Sequence, residues 1–216
     1  MQTMRLRLIS RITVVSLVII VVAIALIHQH IAAVSASQQQ QAANMLTGGA
    51  VLSDMPAAPS FTLVDQNGQT VALNQLRGHP VVITFIDTTC TQECPIIAQY
   101  LDDTAYFMQH SKTTKTSPSQ VEWLAVSVNP TNTPASAHGF LTKNKVTIPL
   151  HVLLGSQAQL SAIWKAYHIQ VIPTPTDVQH TSGLYMVDKQ GRERLWMDAG
   201  FDPTAAAHDL GVLLAQ

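Results

Sequence analysis

Cysteine is scarce in this chain, with two among 216 residues. That excludes a disulfide-rich scaffold and a zinc site built from thiolates alone, which needs four. Charge is scarce too. Asp, Glu, Lys and Arg make up 12% of the residues and nearly cancel, 12 basic side chains against 13 acidic ones. The clustered positive charge that a nucleic-acid partner requires is missing. The seven methionines are scattered, so no Met-rich arm offers thioethers to a soft metal. Beyond the first 34 residues no apolar run is long enough to cross a bilayer, and the rest reads as a soluble domain.

What is present begins with a basic end. The first eleven residues carry Arg5, Arg7 and Arg11 and no acid, and Ile12 to Ile27 follow without a charge, extended weakly by Ile31 to Val34. This pattern predicts a membrane-targeting segment over 12–34, with residues 1–11 cytoplasmic and everything after it outside. A cleaved signal and an uncleaved anchor both fit its length. The transmembrane anchor fits better, because no small-x-small cleavage site stands out. Residues 35–58, with four glutamines in a row at 38–41, read as a flexible tether. Residues 59–216 have the size of one domain. Without the three N-terminal arginines, the exported part holds nine basic against thirteen acidic residues, a formal charge of −4.

The domain is organised around residues 81–100. Val81 to Ile86 is β-branched and apolar without alternation, which predicts a central strand buried on both faces. A polar turn holding Cys90 and Cys94 follows. Pro95 then suits the first turn of a helix, and Ile97, Leu101, Ala105 and Met108 give it one apolar face. Both thiols thus fall where a strand meets a helix N-terminus. The helix dipole there favours a thiolate, so at least one of them is expected to ionise more easily than a free cysteine.

Around this unit, Asn67-Gly68 between two short apolar runs predicts an N-terminal β-hairpin, and Asp188 to Gly191 predicts a second one. Strands are expected at 121–128 and 150–154, and helices at 134–144, 156–167 and 203–214. Strands alternating with helices predict an α/β fold, a central mixed sheet flanked by helices. Residues 168–183, with Pro173, Pro175 and His180, fit no element and read as a long loop, functional or mobile.

Three chemistries suit a Cys-x-x-x-Cys pair at such a turn. A structural disulfide would close too short a loop to stabilise much. A thiol–disulfide exchange centre suits the helix N-terminus, although its familiar spacing has two intervening residues rather than three. Two thiolates also suit Cu(I), with an imidazole as the natural third ligand. Asp87, which ends the strand, reads as a turn former that could also accept a thiol proton.

Several motifs carry a resemblance. Phe61 to Gly68, Leu76 to Phe85, Cys90-Thr-Gln-Glu-Cys94-Pro95, Ser127 to Pro134 and Val178-Gln-His180-Thr-Ser follow, in order, the pattern of the SCO/SenC family. These are thioredoxin-fold copper proteins that serve assembly of the binuclear copper site in cytochrome c oxidase subunit II. The resemblance covers about Pro59 to the C-terminus. It implies a thioredoxin-like fold, copper as Cu(I) or Cu(II), and Cys90, Cys94 and His180 as its ligands. The departures are Thr91, Gln92 and Glu93 between the cysteines, Asn129 and Asn132 where acids are usual, a missing Arg in that segment, and Gln179 beside the histidine. Eight other histidines read as surface or core.

The function expected is a copper chaperone held at the cell membrane, with its C-terminal domain on the periplasmic side and an oxidase subunit as partner. The alternative is a thiol–disulfide oxidoreductase acting through Cys90 and Cys94 on an oxidase subunit or a c-type cytochrome. A peroxidase fits less well, since no Arg lies within ten residues of Cys90 to activate a peroxide.

Overall fold

The structure, a computed structural model, describes residues 21–31, 45–111, 116–174 and 178–216. The chain divides into two units, Met1–Met45 and Leu46–Gln216. In the first, residues 21–31 form a helix, α1, with its side chains exposed. Among the described residues no helix is long and apolar enough to cross a membrane. Residues 1–11, 12–20 and 32–34 of the expected N-terminus and span, and 35–44 of the tether, lie outside the described residues.

The second unit is built on an eight-stranded mixed sheet in the order β1 (Ala50–Val51), β10 (Glu193–Asp198), β9 (Gly183–Val187), β4 (Val81–Ile86), β5 (Glu122–Ser127), β6 (Leu150–Leu154), β2 (Thr62–Asp65), β3 (Thr70–Ala72). Its centre is β4 (Val81–Ile86), whose six residues are all buried. It pairs in parallel with β5 (Glu122–Ser127), Val81 opposite Glu122 through Ile86 opposite Ser127. On its other side lies β9 (Gly183–Val187), antiparallel. Strand β6 (Leu150–Leu154) extends the parallel part from β5.

Alternation along β4 sends residues into two separate cores. Val82 and Ile86 join a layer closed by α2 (Glu93–His110), α3 (Pro134–Lys143) and α5 (Pro203–Ala215), through Ile97, Leu101, Met108, Phe140 and Leu210. Val81, Ile83 and Phe85 join the opposite layer with Leu160, Ile163 and Trp164 of α4 (Gln157–Ala166). This two-sided burial is why the sequence shows no polar alternation there.

Both expected hairpins form. Strands β2 (Thr62–Asp65) and β3 (Thr70–Ala72) pair around Gly68, whose φ of 79° is the left-handed conformation that glycine adopts without strain. Strands β9 and β10 (Glu193–Asp198) pair with a register shift between Glu193 and Leu195. Helices α3 and α4 start at capping boxes, Thr133 with Ser136 and Ser156 with Gln159.

Two segments differ from expectation. The stretch 168–183 is not wholly irregular, because β7 (Val171–Pro173) and β8 (Val178–His180) pair as a separate two-stranded ribbon. One end, beside Val171 and His180, is closed by the Thr181 N–H donating to Gln170 O at 3.0 Å and the Gln170 N–H donating to the Thr181 hydroxyl at 3.1 Å. Pro173, which ends β7, and Pro175, two residues further along the chain, hid so short a ribbon from any periodic reading.

The compact unit also starts at Leu46, earlier than Pro59. Residues 46–58 run along β10: β1 (Ala50–Val51) pairs with Trp196 and Leu195, and the Ala58 N–H donates to Gly191 O at 2.9 Å. The fully buried Asp209 accepts the Thr47 and Gly48 N–H groups at 3.0 and 2.8 Å. A short, glycine-bearing strap conceals such pairing, since its partners lie more than 130 residues away.

Phe85→Ala, which empties a fully buried site packed on Tyr167 with rings 5.7 Å apart, is expected to cost about 3–5 kcal/mol in a urea-unfolding measurement. Asp188 generates an expectation for acid. Burial works to raise its carboxyl, but bonds from the Arg192 N–H and side chain and from Arg194 outweigh it and hold the group below its ordinary range. A lowered folded value contributes stability that is complete above the unfolded value of about 3.9 and is lost as pH falls through the folded one. Asp188→Asn should therefore destabilise the domain at neutral pH and reduce the steepness of its acid unfolding below about pH 4.

Candidate metal centre

The chain leaves the core at Ile86 and makes its turn over Asp87 to Cys90. The Cys90 N–H donates to Asp87 O at 3.1 Å, closing the turn. The Asp87 carboxylate, 1% exposed, braces it. Its Oδ1 accepts the Thr89 N–H, the Thr89 hydroxyl and the Asn132 amide, each at 2.9 Å. Its Oδ2 accepts the Asn129 amide at 3.0 Å. Asn132 in turn accepts the Thr88 N–H at 3.1 Å and the Ser127 hydroxyl at 2.9 Å. Burial works to raise the Asp87 carboxyl, yet the bonds from Thr89, Asn132 and Asn129 outweigh it and hold it below its usual range.

Helix α2 begins at Glu93 without a side-chain cap, and its first turn carries Cys94 into the core. Cys94 is fully buried, Cys90 is half-buried, and both are free thiols. The expectation of an easily ionised thiol fails for Cys94. Burial pushes its thiol well above the ordinary value, the nearby Cys90 and the Asp87 charge push the same way, and the Asp87 N–H only partly offsets them. Desolvation outweighs the helix dipole at this depth. A cation that neutralises the sulfur is what such a thiol needs in order to lose its proton.

His180 ends β8 and faces this turn, with Nε2 3.9 Å from Cys94 Sγ. Its Nδ1 lies 2.9 Å from Thr181 O, and a carbonyl can only accept. The neutral imidazole therefore carries its proton on Nδ1 and presents the Nε2 lone pair to the sulfur, the orientation of a metal ligand. Thiolate and imidazole keep about 2.3 and 2.0 Å from a zinc-sized ion, so a 3.9 Å separation would fit one ion at an S–metal–N angle of about 130°.

Two features hold the histidine segment in place. The Ser182 hydroxyl donates to Glu93 Oε2 at 2.9 Å, tying it to the first turn of α2. The Thr84 hydroxyl donates to Gly183 O at 2.8 Å. At Gly183 a Cβ would lie 2.3 Å from Met197 O, so only glycine allows β9 to start this close to β10. Cys90, Gln92, Glu93, Val178, Gln179 and His180 line a cleft of about 310 Å³.

The three expected ligands thus meet at one place. Among the described residues no group of three or more His, Cys, Asp and Glu already has the arrangement of a metal site. The pair Cys94 and His180 is in position, and Cys90 shares the cleft with His180. Other histidines are engaged elsewhere: His151 with Asp65, His208 with Asp209, His138 with Gln66 O. What the sequence reading missed is the bracing cluster. Its parts, a strand-ending Asp and an Asn-x-x-Asn after a later strand, are visible in the chain, but their meeting depends on the parallel pairing of β4 with β5.

Residues 51–215 match the family described as SCO1/SenC. No curated protein sequence matches the chain. Among solved structures the chain is similar to Bradyrhizobium japonicum ScoI with copper bound, at 28% identity and a TM-score of 0.59, covering 73% of this chain and 99% of that one. It is similar in fold to a SCO1/SenC family lipoprotein from Bacillus anthracis, at 19% identity and a TM-score of 0.64, covering 74% and 95%. The same holds for Arabidopsis thaliana ScoI with copper bound, at 18% identity and a TM-score of 0.61, covering 70% and 93%. With ordered motifs, a mixed sheet and a family match over most of its length, the chain belongs to the SCO1/SenC family.

Proposed function

We propose that this protein binds copper through Cys90, Cys94 and His180 and passes it on during assembly of the binuclear copper site of cytochrome c oxidase subunit II. The observation that carries the reading is the imidazole of His180, held with its basic nitrogen 3.9 Å from a buried thiol at the strand-to-helix turn. The copper-bound relative at 28% identity, ScoI of Bradyrhizobium japonicum, supports it. The donor set suits Cu(I): two soft sulfurs and one imidazole, with no fourth protein ligand.

The chemistry of transfer follows from that set. Copper is the cargo, received with both thiols reduced, and each cysteine gives up its proton as the ion binds. A three-coordinate ion leaves room for an incoming ligand before an old one departs, so exchange to an acceptor does not require the free ion. The cleft opens beside Cys90, the less buried sulfur, which makes it the natural first point of exchange. In this reading residues 12–34 anchor the chain in the cell membrane, with the domain on the periplasmic side and the acceptor on the same surface. Anchoring raises the effective concentration of donor and acceptor.

A second reading, thiol–disulfide exchange on an oxidase subunit or a c-type cytochrome, uses the same pair. Its support is the close approach of the two free thiols. His180 separates the two readings, being a ligand in one and dispensable in the other.

The test is anaerobic loading of the reduced full-length chain with Cu(I), followed by competition with a strong Cu(I) chelator. About one copper per chain should survive, and His180→Ala should lower the affinity by at least the roughly 10–100-fold that loss of a ligand's hydrogen-bond partner costs. Copper lost as readily from the wild type as from His180→Ala would leave the redox reading. A separate variant probes the strut: Ser182→Ala should weaken retention less than His180→Ala, and Glu93→Gln, which still accepts from Ser182, should leave it nearly unchanged.

A further inference from the structure

Asp87 commits all three of its polar groups to the cysteine turn. Its carbonyl accepts the Cys90 N–H at 3.1 Å, and its own N–H donates toward the Cys94 sulfur. Its buried carboxylate accepts four bonds, two from Thr89 and one each from Asn129 and Asn132. Every one of those donors is neutral. Among the described residues no Lys, Arg or His forms an ion pair with Asp87; the acids so paired are Asp65, Asp188 and Asp209.

A carboxylate stabilised by dipoles alone remains charged, and its charge is not cancelled by a neighbour. Asn129 and Asn132 belong to the same device, because acids in their places could not donate to Asp87. The result is a fixed negative charge under the turn that carries both cysteines, shielded from water.

We propose that Asp87 sets the balance between the two oxidation states of copper at this site, orienting both cysteines through its main chain and favouring Cu(II) over Cu(I) through its buried charge. The inference rests on the copper reading above. The same donors receive either ion, but Cu(II) brings one more positive charge next to the carboxylate. With an effective dielectric near 20, a unit charge about 10 Å away changes the relative affinity by about tenfold. The charge attracts both ions and the doubly charged one more strongly, so its effect is read in the ratio of the two affinities.

The experiment measures Cu(I) and Cu(II) affinities separately, each by competition with a chelator for that ion at one fixed pH, on the full-length wild type, Asp87→Asn and the pair Asp87→Asn with Asn129→Asp. Melting temperatures are recorded alongside. Asp87→Asn should shift the ratio of Cu(II) to Cu(I) affinity by about tenfold toward Cu(I). The double variant reverses donor and acceptor across the same hydrogen bond and restores the charge, and should return the ratio toward the wild type. Should Asp87→Asn not fold, Asp87→Ser, a neutral residue that leaves room for a bridging water, carries the same expected shift. A neutral variant that loses both affinities by one factor, or keeps the wild-type ratio, reduces Asp87 to a structural brace and overturns the inference alone. A wild type that retains neither ion overturns the copper reading and the inference with it.

Discussion

Strand β4 is covered on both faces, and a strand in that position can offer side chains to solvent only where it ends. Its six buried residues divide between two cores, so its direction, depth and register are fixed by packing on both sides. Each fully buried aliphatic or aromatic side chain contributes about 1.5–3 kcal/mol to holding it there. The polar turn after Ile86 therefore emerges from a rigid support. Cys90 and Cys94 need no mobile loop to find each other, and the neighbouring parallel strand β5 ends at the same edge, delivering Asn129 and Asn132 to brace the turn. Strand β9, antiparallel on the other side, begins there and brings His180 with it.

Burial and charge work against each other at this edge. Cys94 lies so deep that its thiol resists ionisation, although it sits in the first turn of a helix. A lone nucleophilic thiol gains nothing from that arrangement. A metal-binding thiol can use it, because the proton leaves only when a cation takes its place. The nearby imidazole is already turned, by its bond to Thr181 O, so that its basic nitrogen faces the sulfur. Geometry is thus prepared at two of the three proposed donors, Cys94 and His180, while Cys90 is more exposed.

Much of this was legible in the chain. The β-branched, non-alternating run at 81–86 read as a strand buried on both faces, and the proline after the second cysteine suited the first turn of a helix. Both hairpins announced themselves through their turn residues. The ribbon holding His180 was less legible, because three-residue strands next to prolines carry no period to detect. The strap over residues 46–58 was invisible for another reason: its partners, Asp209 and β10, lie far along the sequence, and no local pattern encodes such pairing. Of the site, the three proposed ligands were named from motif and resemblance, while Asp87 was read as a turn former that could also accept a thiol proton. Its connection to Asn129 and Asn132 depends on two parallel strands ending in register, a fact of the sheet rather than of any segment. At Cys94 the expectation of an easily ionised thiol failed because depth of burial, which no sequence pattern reports, outweighed the helix dipole.

The most direct test of the account is X-ray absorption at the copper edge on the reduced, Cu(I)-loaded full-length chain, with His180→Ala beside it. Three-ligand binding predicts a coordination shell of two sulfurs and one nitrogen in the wild type, and loss of the nitrogen in the variant with both sulfurs retained. A wild-type shell of two sulfurs alone, unchanged by the substitution, would contradict the role given to His180. A shell of nitrogen and oxygen without sulfur would contradict the site itself.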